Sequence, residues 1–107
     1  PYNMANVRYQ VIEKDGMQIV QEIHKIVVHK IKMGDVEDPD IMVADPIWKW
    51  QQTDEGKFVM ENAVETPSWH RNYDTFSYGH IYAIVAELEK KKLAEFYLRW
   101  GKPNGSD

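Results

Sequence analysis

Alternation of apolar and polar side chains dominates both ends of the chain. Val7, Tyr9 and Val11 alternate with Arg8 and Gln10, the period-two pattern of a half-buried strand. Lys14, Asp15 and Gly16 follow, and Asp-Gly takes the positive φ angles of a tight hairpin turn, so a second strand is expected to return from Met17. Residues 17–33 also match helical spacing, through Ile19, Ile23, Ile26, Val27 and Ile31. Their β-branched second half favours strand, with Val27, His29, Ile31 and Met33 on one face and a bulge near 22–25. Near the other end, 80–88 is an apolar run, and 93–100 set Ala94, Phe96, Leu98 and Trp100 opposite Glu95 and Arg99. Joined through Glu89, Lys90, Lys91 and Lys92, these segments predict a C-terminal hairpin. A helical rival exists, because 86–95 are good helix formers and Leu93, Phe96, Tyr97 and Trp100 recur at helical intervals. The aromatic approach from Tyr78 to Ile84, and the drift of the apolar stripe between the two halves, favour strands.

The period changes in the middle. Residues 34–40 form an acidic loop, with a short turn beginning at Pro39 and Asp38 as its cap. Asp45 before Pro46 is a helix start, since the carboxylate accepts from free N–H groups and proline at the first position wastes no donor. The helix over 45–63 carries Ile47, Trp48, Trp50, Phe58, Val59 and Met60, with Gly56 expected to kink or split it. Pro67 ends it, 69–73 read as a short edge strand, and 74–79 turn the chain. The expected architecture is α+β: a curved, mainly antiparallel sheet of four or five strands with one broken helix on one face, in the order ββαββ(β). Inward positions should include Val7, Tyr9, Val11, Val27 and Ile31 from the first half. Phe58, Ile84, Phe96, Leu98 and Trp100 complete that set.

A chain of 107 residues supports one domain with one core, read here as 1–101 followed by a flexible tail at 102–107. Four Trp and six Tyr make that core rich in rings. A net charge of −4 supplies no basic field for duplex nucleic acid or an anionic membrane, so it argues against both as partners. The absence of cysteine excludes disulfides, thiolate metal sites and a cysteine nucleophile, and fits a reducing compartment. No apolar run reaches the roughly 18 residues of a spanning helix, and no signal-peptide pattern opens the chain. A cytoplasmic protein is the expectation.

Candidate chemistry is sparse. Asp35, Glu37, Asp38 and Asp40 cluster as hard-cation ligands do, but Pro39 sits where a ligand is needed and Asp40 where an EF-hand loop needs glycine. No metal and no cofactor is expected. His70 and His80 lie on segments that can pair, beside Tyr73 and Tyr78, a group suited to general acid–base work if the rings converge. The commoner use of such residues is a hydrogen-bonded polar rim. Trp48 and Trp50 point about 200° apart around a helix, so one faces the sheet and the other is a candidate partner anchor. Trp69, Tyr73, Phe76, Tyr78 and Tyr82 could stack on bases or line an apolar pocket, although core packing is the usual role of rings. The lysine run at 90–92 reads as edge protection. A free N-terminal Pro1 can act as a base, as in tautomerases of the oxalocrotonate type, but the resemblance stops at that residue because the βαβ order is missing.

The segment Met33-Gly34-Asp35-Val36-Glu37-Asp38-Pro39-Asp40, with Asp45-Pro46-Ile47-Trp48-Lys49-Trp50 and Phe58-Val59-Met60-Glu61-Asn62, resembles small proteins of marine viruses (cyanophage-like) and of marine environmental sequence. The resemblance implies an accessory or structural viral role, in the host cytoplasm, and carries no activity or site. The leading functional expectation is a non-catalytic, self-associating interaction protein that works through an edge strand or the exposed helix tryptophan. The alternatives are a small-molecule binder or small enzyme using His70, Tyr73, Tyr78 and His80, and a single-strand nucleic-acid binder.

Overall fold

A computed structural model describes residues 6–101; Pro1 and the tail at 102–107 lie outside them. The chain runs β1 (Val7–Lys14), β2 (Met17–Gly34), α1 (Pro39–Met42), α2 (Ala44–Gln52), α3 (Asp54–Asn62), β3 (Ser68–Asp74), β4 (Gly79–Glu89) and α4 (Lys90–Trp100). The four strands form one curled antiparallel sheet in the order β1-β2-β4-β3. The α+β class, the ββαββ order and the helical layer on one face are as the sequence predicts.

Asp15 at φ 53° and Gly16 at φ 77° make the expected tight turn between β1 and β2. Strand β2 is extended over its whole length, including the half with helical spacing, because it has a neighbour along both parts. Residues 17–24 pair with β1 and residues 23–34 with β4. The bulge lies further along than 22–25. Val27 pairs with Val85 but His29 pairs with Ile84, so Val28 is an extra residue, and Val27 faces away from His29 and Ile31 rather than with them.

The core lies between the sheet and the helices. On β4 the alternate residues Tyr82, Ile84, Ala86 and Leu88 are buried, and they meet Ile47 and Trp50 of α2, Phe58 and Val59 of α3, and Leu93 and Phe96 of α4. The helix break falls at Thr53 rather than Gly56. Thr53 is extended (φ −73°, ψ 161°), donates its hydroxyl to the Trp50 carbonyl at 2.6 Å and accepts from the Gly56 N–H at 3.0 Å, an N-cap that starts α3 afresh. Gly56 permits the close approach of the two helices, since a Cβ there would sit 1.9 Å from the Trp50 carbonyl oxygen. Asp45 falls inside the first turn of α2, with Val43 as the capping position. Asp38 precedes α1 in the left-handed region (φ 50°) and makes no side-chain cap.

The C-terminal hairpin is corrected. Residues 90–100 form helix α4, because the Glu89 carboxylate accepts from the Lys91 N–H at 2.9 Å and caps it. The helix then lays Leu93, Phe96, Tyr97 and Trp100 against the core, where Phe58, Phe96 and Trp100 form a cluster of tilted rings with centroids 5.4–6.3 Å apart. Leu98, expected inward, is 88% exposed on the opposite side. Tyr9 and Val11, also expected inward, are exposed, and Val7, Val27 and Trp100 are only half-buried. Ile31, Phe58, Ile84 and Phe96 are buried as predicted.

Tyr9 and Val11 are exposed because β1 outruns the helical layer. Among the described residues the pairs from Tyr9↔Glu22 to Lys14↔Met17 have no third strand beside them, so this part of the hairpin is a two-stranded arm roughly 20 Å long. The radius of gyration, 15.7 Å, exceeds the about 13 Å of a compact chain of this size, as a projecting arm requires.

Candidate interaction surfaces

The register of β3 against β4 separates the histidine–tyrosine group. Tyr73 pairs with His80, and the two rings meet edge to face at 5.3 Å. His70 pairs with Ala83, which places it on the opposite face of the sheet, where its Nε2 lies 3.1 Å from the Ser68 hydroxyl. Tyr78 is in the turn at φ 54°, 71% exposed. The expected convergence of His70 and His80 is therefore corrected: neighbouring strands bring them near in sequence register, and the odd spacing between His70 and Tyr73 divides them between faces. Asp74 orders that turn, accepting from the Phe76 N–H and the Ser77 hydroxyl. The Ser77 hydroxyl first, and then the Phe76 N–H, hold the Asp74 carboxyl below its usual range.

The two tryptophans of α2 do point apart. Trp50 is buried, whereas Trp48 is 59% exposed. His29 of β2 stacks on Trp50 at 5.4 Å and 14°, and the Trp50 indole N–H donates to Glu55 Oε1 at 2.8 Å. Glu55 also lies 3.7 Å from His29 Nδ1. Beside this stack is an open groove of about 580 Å³ that Trp100, Pro46, Lys30, Lys49 and Asp54 help to line. Lys49 in its lining is ion-paired with Asp45 at 2.9 Å. Among the described residues no group of three His, Asp or Glu side chains is placed to hold a metal ion. None of the described helices is long and apolar enough to cross a membrane.

The arm carries apolar side chains on both faces. Tyr9, Val11 and Val20 share one face and are 62–66% exposed; Ile12, Ile19 and Met17 lie on the other. At its root, Arg8 of β1 reaches across β2 to Glu87 of β4, donating from Nε at 2.9 Å and from Nη2 at 3.2 Å. The hydrogen bond to Glu87 raises the Arg8 pKa, and the one from Arg8 lowers the Glu87 carboxyl. Ile23, directly opposite Arg8 on that face, is fully buried beneath this bridge. Among the described residues, the outer edge of β1 has no neighbour in the sheet.

The other sheet edge, β3, is different in kind. Trp69, Arg71 and Tyr73 project from one face at alternate positions, with both rings 50% exposed. Arg71 Nη1 lies 3.5 Å from Asp40 Oδ2, and the Asp40 carboxylate also accepts from the Tyr82 hydroxyl in a short hydrogen bond. Burial first, and Asp40 second, push the Tyr82 pKa up, which keeps it a donor.

Protein-family models, curated proteins and solved structures were compared with the chain, and none matches. Sequence reasoning missed the arm because the alternation of Val7, Tyr9 and Val11 marks a strand without saying that nothing lies over it. It missed the Arg71–Asp40 contact because those residues are far apart in sequence. The length mismatch between β2, at 18 residues, and its partners was the available signal for an overhanging hairpin.

Proposed function

We propose that this chain is a non-catalytic interaction protein that self-associates through the outer edge of β1. The observation that carries the reading is the arm: an edge strand that no other described strand covers, whose exposed Tyr9 and Val11 lie beside Val20 of β2. Such edges pair with another strand unless charge, proline or a bulge blocks them. In β1 there is no proline and no bulge, Arg8 is engaged by Glu87, and the two other charges, Glu13 and Lys14, are the last two residues, at the tip.

A two-fold antiparallel pairing must set same-face residues opposite each other. Centred on Gln10, it places Gln10 against Gln10, Tyr9 against Val11, Arg8 against Ile12 and Val7 against Glu13. Centred on Val11, it places Arg8 against Lys14 and Tyr9 against Glu13, which costs charge repulsion and apolar contact. The first register is favoured, and it joins two four-stranded sheets into one of eight. An assembly of this kind suits the accessory or structural role that the marine-virus resemblance implies.

Sedimentation equilibrium tests the reading. The wild-type chain is expected to form a dimer whose strength changes little with salt, since its contacts are main-chain hydrogen bonds and apolar rows. Val11→Lys is expected to give a monomer with unchanged secondary structure, and Trp48→Ala to leave the dimer intact. A monomer at high wild-type concentration overturns the proposal, and loss of the dimer only in Trp48→Ala moves the contact to α2.

A further inference from the structure

Among the described residues strand β3 is the second open edge of the sheet, and its side chains ask for a different partner. Trp, Tyr and Arg are the residue types that most often anchor interfaces, and Trp69, Arg71 and Tyr73 stand in one row on one face. Neighbouring members of the row are separated by roughly 7 Å, two residues of extended chain. The arrangement is a cation between two half-exposed aromatic residues, beside a line of backbone donors and acceptors that no other described strand covers.

Self-pairing fits this edge poorly. Overlap of all seven residues of β3 with a second copy centres the pair on Arg71 and sets guanidinium against guanidinium, whereas β1 centres on a neutral amide. A phosphate strand fits poorly as well, because it needs a field of cations. Arg71 is the one cation of the row, and of residues 35–65 only Asp40 is recorded beside it. A single carboxylate needs only one cation. Asp40 meets Arg71 through one terminal nitrogen, and the guanidinium fork has five N–H donors.

We propose that the outer edge of β3 takes an extended peptide by strand addition, with one carboxylate opposite Arg71 and apolar side chains opposite Trp69 and Tyr73. Backbone hydrogen bonds along the edge supply sequence-independent affinity, and the alternate side chains supply the choice of partner. Asp40, itself fixed by the Tyr82 hydroxyl, holds the guanidinium in the row. The partner lies on the sheet edge opposite the arm, so this contact and self-association are independent.

The test uses three blocked heptapeptides: Thr-Val-Thr-Glu-Thr-Val-Thr, the same peptide with Lys at its centre, and the same peptide with Pro after the Glu. Binding is followed by amide chemical shifts and hydrogen exchange of β3 in the full chain. The Glu peptide is expected to bind at least about tenfold more tightly than the other two, a gap of about 1.4 kcal/mol, and to protect β3 amides. Arg71→Glu is expected to reverse the Glu/Lys preference, and Arg71→Gln to abolish it without reversing it. Val11→Lys is expected to bind as the wild type does, which separates this contact from the dimer. Equal affinity for the Glu and Lys peptides overturns the proposal, as does failure of the Glu peptide to saturate at millimolar concentration. An unaltered preference in Arg71→Gln overturns it too.

Discussion

Arg8 and Glu87 clasp each other across β2, with the guanidinium donating to both carboxylate oxygens at 2.9 and 3.2 Å over the buried Ile23. The clasp ties the root of the arm to the centre of the sheet. Because Arg8 holds the Glu87 carboxyl below its ordinary value of 4.5, the folded state favours the ionised form. Its contribution is complete above that ordinary value and disappears as pH falls through the lower folded value.

Thermal unfolding of Glu87→Gln is therefore expected below the wild type at pH 7, with the two converging under acid. The effect is small, since both groups touch water. A constant gap between the curves across that range would show that the bond, not the charge, matters.

Gly56→Ala should be among the most damaging small substitutions, since its Cβ would lie 1.9 Å from the Trp50 carbonyl oxygen. Overpacking of this kind costs about 1–3 kcal/mol or more. Urea unfolding measures it, and an unchanged midpoint would mean that α2 and α3 are not held at this distance.

Glu55 accepts the indole N–H of the buried Trp50 at 2.8 Å. Glu55→Ala is expected to cost about 1–3 kcal/mol, the range for a buried donor left without a partner. Glu55→Gln keeps an acceptor and should recover most of that loss in the same denaturation assay. Equal losses in the two variants would mean that the carboxylate's charge beside His29 carries the effect.

Phe96 and Leu98 distinguish helix from strand at 90–100. Phe96→Ala should cost about 3–5 kcal/mol, whereas Leu98→Ala, on a surface position, should stay within about 0.5 kcal/mol. Equal and large losses would restore the strand pattern.

That pair also shows what was legible in the sequence. Leu93, Phe96, Tyr97 and Trp100 fit a helix, and Ala94, Phe96, Leu98 and Trp100 fit a strand, so apolar pattern alone leaves 93–100 open. The carboxylate of Glu89, positioned to cap, decides it. The turn at Asp15 and Gly16, the edge strand near 69–73 with the turn after it, and the opposed directions of Trp48 and Trp50 were readable because each is set by local geometry. The face of His70 relative to His80, the bulge at Val28 and the bareness of Tyr9 and Val11 depend on register and on neighbours distant in sequence, which period-two alternation does not encode. For the same reason the Trp69, Arg71 and Tyr73 row was visible only as a cluster of rings.

The central claim is that β1 pairs with its own copy about Gln10. The chain has no cysteine, so Gln10→Cys introduces a single thiol at the two-fold centre. Directly opposed Cα atoms in an antiparallel pair are about 4.5–5.5 Å apart, within disulfide reach. Mild oxidation of Gln10→Cys at concentrations that support the dimer should give a disulfide-linked dimer in high yield, while Val7→Cys under the same conditions should stay unlinked. Equal crosslinking of the two variants, or none in Gln10→Cys, would contradict the account.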